Sequence, residues 1–204
     1  DGEAMSGPAA KGGIEAALRG LVADLPGEET SLGGILAALG PRGHGFAMFL
    51  LAAPNLTPGP SMPGFSTIFG VPMLLLALGM LAGLPAPRLP GFLARRRVTR
   101  ARLARFVDLL APVAARADRA LRPRLPRLAG ARRLLGACFV LLAVLLVLPF
   151  PFVSLAAAGA ALLLALGLVA EDGLAVALGL AATAGSVVLY AAFGWLAWTA
   201  IAAL

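Results

Sequence analysis

The sequence predicts an all-α integral membrane protein, in which two proline-broken helical hairpins are internal repeats and amphipathic surface helices precede them. The chain has 204 residues, of which 60% are hydrophobic and 13% charged, a balance outside the range of soluble domains. Three stretches, residues 43–87, 134–170 and 173–204, contain no Asp, Glu, Lys or Arg. Each is long enough to enter or cross a bilayer, and prolines interrupt the first two.

The N-terminal region is expected to lie outside the bilayer. Residues 1–13 are predicted to be a disordered extension and in part a cloning remnant, and residues 14–204 to form a single membrane domain. Within residues 14–42, apolar side chains recur at helical spacing in two short helices, the second capped by Thr30 or Ser31. Amphipathic helices of this kind lie on a membrane surface.

The first broken hairpin is predicted over residues 43–84. Its first arm, Gly45–Ala53, would be roughly 13 Å long as a helix, whereas the hydrocarbon core of a bilayer is about 30 Å thick. The block Pro54–Gly64, rich in proline and glycine, must then break the helix before the longer arm Phe65–Gly83 begins. Two interpretations stay open: a re-entrant turn buried in protein, or a loop at the far membrane face.

The second broken hairpin, residues 134–170, has the same order of features. Its break is Pro149-Phe150-Pro151, and its later arm contains Leu163-Leu-Ala-Leu-Gly167, which repeats Leu75-Leu-Ala-Leu-Gly79 of the first hairpin. We interpret the two hairpins as internal repeats, a pattern typical of transporters. The uncharged C-terminal segment, residues 173–204, fits either one long tilted helix or two short arms.

Nearly all of the basic residues lie between the two hairpins. Residues 85–133 contain 14 arginines and two aspartates, and a helix is predicted from Val98 to about Leu121. Arginine clusters can bind nucleic acid, but an Arg excess between apolar stretches is what the positive-inside rule predicts for a cytoplasmic segment, so no nucleic-acid partner is expected. The residues predicted to contact anionic lipid headgroups are Arg95, Arg96, Arg97, Arg122 and Arg124.

The two breaks are the predicted binding sites for a substrate or ion, because unwound backbone at membrane depth is tolerated where it is buried or lines a wet cavity. Their polar side chains can form hydrogen bonds but include no strong base or nucleophile. The candidate residues are Asn55, Thr57, Pro58, Pro60, Ser61, Pro63, Pro149, Pro151 and Ser154.

Three titratable residues are candidates for a proton or cation site. His44 stands at the entry to the first arm, and Glu171 and Asp172 form the only acidic pair between long apolar stretches. The alternatives are an interface histidine and a solvated turn before Gly173.

Catalysis is not expected from this sequence. The motifs of hydrolases, metalloproteases and NTPases are absent, and the one cysteine, Cys138, stands in an apolar run without a ligand set around it. We therefore predict no enzyme activity, no cofactor and no metal site.

The order of several motifs resembles the ExoD family of bacterial exopolysaccharide synthesis membrane proteins, over about residues 14–204. That resemblance implies an inner-membrane protein linked to exopolysaccharide production and, in some members, to growth under alkaline conditions. The motifs are Ser31-Leu-Gly-Gly-Ile-Leu-Ala-Ala-Leu-Gly40, the Pro54–Pro63 block, Phe69-Gly-Val-Pro72, Asp118-Arg-Ala-Leu-Arg-Pro-Arg124, Pro149-Phe-Pro151 and Asp172-Gly173.

Two function classes follow from these observations. The first is a non-enzymatic transporter, or a lipid- or ion-translocating protein, of the bacterial inner membrane that supports exopolysaccharide synthesis from a site at the broken helices. The alternative is a scaffold that binds polysaccharide-synthesis proteins through its Arg-rich cytoplasmic segment. A homo-oligomer is expected in either case, since broken hairpins must bury their exposed backbone.

Overall fold

The computed structural model describes residues 13–24, 27–38, 43–56, 65–84, 87, 91–122, 128, 130–148 and 153–203, and this part of the chain is mostly helical. Its helices are α1 Ile14–Ala23, α2 Leu32–Ala38, α3 Gly43–Ala52, α4 Phe65–Leu81, α5 Gly91–Ala94, α6 Arg100–Ala120, α7 Arg132–Val147, α8 Val153–Val169 and α9 Gly173–Ala202. A short 3-10 helix, Ala53–Leu56, continues α3.

Two short strands join the N-terminal region to the basic segment. Strand β1, Glu29–Ser31, pairs antiparallel with β2, Arg97–Thr99, and Thr30 stands opposite Val98. We did not predict these strands, because three residues are too few for a recognisable alternation and the pairing joins distant parts of the chain. The fold is therefore mostly helical and not wholly so.

The basic segment forms α6, close to the helix predicted from Val98 to Leu121. The Thr99 hydroxyl accepts a hydrogen bond from the backbone N–H of Arg102 (3.4 Å) and so caps the first turn. Apolar residues at helical spacing, among them Leu103, Val107 and Leu110, are buried along one face. The other face carries exposed arginines.

The first helix, α1, packs against α6. Its apolar residues Ile14 and Leu18 are buried there, so α1 does not present its apolar face to a membrane surface as we had expected. The Asp118 carboxylate, near the end of α6, accepts hydrogen bonds from the backbone N–H groups of Ile14 (2.6 Å) and Glu15 (3.0 Å). The N-terminal region and the basic segment thus form one layer.

The longer arm of the first hairpin, α4, packs antiparallel on α7, the first arm of the second. Close approach is possible because Gly136 has no side chain: a Cβ there would lie 2.7 Å from the backbone nitrogen of Leu81. Near the opposite ends of the two helices, Gly70 faces Val147 in the same way.

The first arm, α3, packs antiparallel on α8, the later arm of the second hairpin, and the 3-10 helix lies against α8 as well. A Cβ on Gly45 would lie 2.7 Å from the Val169 side chain. The outer ends of all four arms therefore meet at one end of the helix bundle. The described residues that flank the two breaks, among them Leu56, Leu148 and Val153, lie toward the other end.

The last helix, α9, runs without a break for 30 residues, which decides between the two arrangements left open by the sequence. It folds back along α8, and the Tyr190 hydroxyl donates a hydrogen bond to the Leu145 carbonyl oxygen (2.6 Å) of α7. Within the described residues, α9 alone is both long and apolar enough to cross a membrane. The apolar helices α4 and α8 are shorter.

Candidate functional site

The first candidate site is the end of the bundle where the two hairpins break, which we call the break end and define by Asn55 and Ser154. Asn55 belongs to the 3-10 helix and is 1% exposed. Its Nδ2 donates a hydrogen bond to the Leu51 carbonyl oxygen (3.0 Å), while its Oδ1 has no partner in the described part of the chain. A buried amide oxygen without a donor costs free energy, so hydrogen bonding within the described residues does not account for this atom.

Ser154 lies in the first turn of α8, directly after the second break, and is 5% exposed. Ser154 is therefore, like Asn55, a buried polar residue beside one of the breaks. The remaining residues predicted for this site lie outside the described residues: Thr57, Pro58, Pro60, Ser61, Pro63, Pro149 and Pro151.

The opposite end of the bundle, which we call the basic end, holds His44, Arg132 and Asp172. His44 is in the first turn of α3, 4% exposed, and its Nε2 has no hydrogen-bond partner among the described residues. The positive charge of Arg132, at the start of α7, acts on the imidazole.

Asp172 is also buried, with 2% exposure, and its carboxylate joins two parts of the chain. One oxygen accepts hydrogen bonds from the backbone N–H groups of Leu174 (2.9 Å) and Ala175 (3.4 Å), and so caps α9. The other accepts from the N–H of Arg122 (3.0 Å), at the end of the basic segment. The predicted alternative of a solvated turn therefore fits Glu171, which is exposed, but not Asp172, which is buried.

Glu171 has a left-handed backbone conformation, with φ of 54°. The turn after α8 requires this conformation, since the N–H of Asp172 returns to the Gly167 carbonyl oxygen (2.9 Å). Glycine or asparagine usually occupies such a position. A glutamate there carries strain that a functional carboxylate would explain.

The predicted site residues are divided between the two ends of the bundle. His44 and Asn55 belong to one helical segment and are 11 positions apart, or ~16 Å along a helix. Gly45, the neighbour of His44, packs on Val169, two residues before Glu171. The structure thus brings the three titratable candidates to the basic end and leaves the polar candidates Asn55 and Ser154 at the break end.

The arginines predicted to meet lipid headgroups are exposed where they are described: Arg95, Arg96, Arg97 and Arg122. Arg124 lies outside the described residues. The Arg97 guanidinium forms an ion pair with Glu29 (3.5 Å) across the strand pair, an exposed contact of little energy that leaves the cation facing solvent.

The polar groups at both ends can form hydrogen bonds, and some of them can carry charge. In the described part of the chain, no group of three or more His, Cys, Asp or Glu side chains could hold a metal ion. The break end offers an amide and a hydroxyl, and the basic end offers an imidazole and a carboxylate that already accepts backbone hydrogen bonds. Hydrogen bonding and charge are what these groups provide.

Sequence reasoning missed the roles of two aspartates. Asp172 directly precedes the uncharged stretch that becomes α9, and an acidic residue before an apolar run is an N-cap signal that could have identified its role. Asp118 gave no such signal, because the helix that it caps begins 104 positions earlier in the chain.

Comparison with known proteins places this arrangement in a family. The family model described as "Exopolysaccharide synthesis, ExoD" matches residues 14–192. The chain belongs to the ExoD family. It is 32% identical over 189 residues to Protein ExoD of Rhizobium meliloti (strain 1021), an alignment that covers 90% of this chain and 78% of that protein. No solved structure matches it.

Membership confirms the resemblance noted in the motifs and implicates the chain in exopolysaccharide synthesis. Together with the long apolar helix α9, it points to association with a membrane.

Proposed function

We propose that this chain is a multi-pass inner-membrane protein that supports exopolysaccharide synthesis without catalysis, by translocating an ion, a small solute or a lipid. Its site is the break end. The buried Oδ1 atom of Asn55, which has no partner among the described residues, carries the proposal, because it stands at a helix break between two apolar arms.

Apolar side chains that face outward support the membrane placement. Many large hydrophobic residues on α4, α7, α8 and α9 are exposed, including Ile68, Leu134 and Val188. Soluble monomers rarely expose large contiguous apolar patches. Polar residues of the same bundle, such as Asn55, Ser154 and Ser186, are buried instead. A bundle with an apolar surface and buried polar side chains is suited to a lipid environment.

The length of α9 supports the proposal that the break end lies within the bilayer, below the outer membrane surface. Its 30 residues extend ~45 Å, longer than the ~30 Å hydrocarbon core, whereas the longest arms of the hairpins, α4 and α8, extend ~25 Å. Beyond Tyr190, α9 continues to Trp195 and Trp198, which are 72% and 68% exposed and suit a membrane interface.

Matching contacts support the interpretation of the hairpins as repeats. The residues directly after the repeated Leu-Leu-Ala-Leu-Gly sequences are Met80-Leu81 and Leu168-Val169. In each case they pack on a glycine in the first arm of the other hairpin, Gly136 and Gly45 respectively. Such an exchange of equivalent contacts is what a two-fold axis along the bundle produces.

The 14 arginines of residues 85–133 favour a cytoplasmic basic end, by the positive-inside rule. We also propose a homo-oligomer, because the apolar outer faces of the bundle offer surface for a second copy.

The proposed site is tested by replacing Asn55 with leucine in a strain that lacks its own ExoD protein. The substitution removes the unpartnered oxygen, which favours stability, and also the Nδ2 hydrogen bond to the Leu51 carbonyl oxygen, which opposes it. The melting temperature should therefore change little. Exopolysaccharide output should fall to that of the empty strain at equal protein level in the membrane. Leu56→Ala, at the exposed neighbouring position, is the matched control and should keep its output.

The alternative function is a scaffold for polysaccharide-synthesis proteins, favoured by the exposed arginines Arg95 and Arg96 beside the strand pair. In that case Arg95→Gln with Arg96→Gln should abolish exopolysaccharide output, and Asn55→Leu should not. The reverse result supports translocation.

A further inference from the structure

A cavity of about 240 Å³ separates the first hairpin from the N-terminal layer. It is larger than the ~150 Å³ apolar cavity that binds benzene in an engineered protein. Helices α2, α3, α4 and α6 and strand β2 all contribute to its wall. Leu36, Leu50, Leu51, Phe69, Pro72 and Phe106 are among its lining residues.

Among the described residues that line the cavity, Arg102 is the one charged residue and the others are apolar. Arg102 is also exposed, as expected of an arginine whose methylene stem covers apolar surface while its guanidinium is in solvent. A site with an apolar interior and a cation at its mouth is complementary to a molecule with a long apolar part and an anionic head.

The cavity is continuous with an exposed apolar surface. Phe69 and Pro72 line it from α4, and the adjacent residues Ile68 and Val71 are 68% and 42% exposed on the same helix. A chain that lies along α4 in the bilayer could therefore enter sideways. The later arms of the two hairpins are α4 and α8. Helix α9 packs along α8, whereas the cavity lies beside α4, where a ligand can bind.

We propose that this cavity holds an acyl chain of an anionic phospholipid, with the lipid phosphate on the Arg102 guanidinium. The inference rests on the membrane placement of the proposed function and adds a lipid site that does not involve either break. A bound lipid would join the N-terminal layer to the first hairpin.

The test is photo-crosslinking with the purified full chain in lipid nanodiscs. Phosphatidylglycerol or phosphatidylcholine carries a diazirine near the end of one acyl chain, and crosslinked peptides are identified by mass spectrometry. Crosslinks should fall on α3, α4 and α6 at cavity residues such as Leu51, Phe69 and Phe106. The anionic lipid should give about fivefold more product, the effect of one arginine near a charged headgroup.

Two substitutions test the two parts of the site. Ala47→Phe places a ring in the cavity from a buried position and should reduce these crosslinks to background without lowering the melting temperature. Leu50→Phe is the milder substitution if Ala47→Phe does not fold. Arg102→Gln should bring the two lipids to equal yield, whereas Arg105→Gln, on the same helix but outside the cavity, should keep the fivefold preference.

Crosslinks that avoid the cavity residues, or that persist in the filled variants, would overturn the proposal. Disruption of an oligomer by Ala47→Phe, without any lipid crosslink, would identify a second copy as the occupant and also overturn it. Extraction of membranes with alkaline carbonate distinguishes failure of the proposed membrane placement from failure of the proposed lipid site. A chain released from membranes refutes the membrane placement itself, whereas a chain retained there without cavity crosslinks refutes only the lipid site.

Discussion

At the scale of single residues, Asp172 connects the basic segment to the bundle. Its carboxylate accepts hydrogen bonds from three backbone N–H groups, which belong to Leu174 and Ala175 in α9 and to Arg122 after α6. Hydrogen bonds of this kind offset the cost of burying a carboxylate. Its structural role therefore accounts for its burial, and a proton or cation role has to be tested separately.

Asp172→Ala should destabilise the protein by roughly 2–4 kcal/mol, because it removes a helix cap and leaves the Arg122 N–H without its acceptor. Asp172→Asn keeps an oxygen for these donors and should cost much less. Thermal unfolding measures both. If Asp172→Asn retains stability but loses exopolysaccharide output, the charge itself is required; if it retains both, the role of Asp172 is structural.

Glu171→Gly should raise the melting temperature by ~2–4 °C, since relief of a left-handed backbone conformation is worth about 1 kcal/mol. Glu171→Ala keeps the backbone strain and removes the carboxylate, so it serves as the control. Loss of exopolysaccharide output in both variants would assign a function to the carboxylate. A lower melting temperature for the glycine variant would contradict the claim of strain.

At the scale of elements, α1 and β1 are joined to the basic segment by contacts that a single sequence does not reveal. Asp118 caps α1 from a distant part of the chain, and β1 pairs with β2 over three residues each. The exposed ion pairs around Arg19 add little to this, since salt screens them.

Asp118→Ala should loosen α1 without unfolding the bundle. The N–H groups of Ile14 and Glu15 lose their acceptor, at a cost of about 1–2 kcal/mol. Hydrogen–deuterium exchange should then accelerate in α1 and remain unchanged in α8 and α9. Asp108→Ala, an exposed acidic residue on the same helix, is the control; equal acceleration in that variant would contradict the capping role.

Local patterns predicted most of the helices. The arms predicted at Phe65–Gly83 and Leu134–Leu148 correspond to α4 and α7 within about two residues, because apolar runs between prolines and charges leave little freedom in their ends. Ser31 caps α2, as one of the two predicted candidates, by accepting a hydrogen bond from Gly34 (3.0 Å). Three features were not predicted: the strand pair, the packing of α1 on α6, and the separation of the candidate site residues between two ends of the bundle. They depend on tertiary contacts, which the spacing of apolar residues along the sequence does not specify.

At the scale of the whole molecule, the bundle has its four arm ends on one side and its two breaks on the other. The basic end holds the titratable groups His44 and Asp172, and the break end holds the buried amide of Asn55. If the basic end is cytoplasmic, the proposed translocation requires a solute to pass between these ends, along the interface of the two hairpins. A site at the breaks that is reached by water is therefore the central claim.

Cysteine accessibility tests this claim most directly. Single cysteines replace Asn55, Ser154 and, as a cytoplasmic control, Arg105 in a Cys138→Ser background, and membrane-impermeant thiol reagents are applied to intact cells and to inverted vesicles. We predict that Arg105→Cys reacts only in inverted vesicles and that Asn55→Cys and Ser154→Cys react from the cytoplasmic side or from both sides. Reaction of the last two from the periplasm alone, or no reaction at all, would contradict the account.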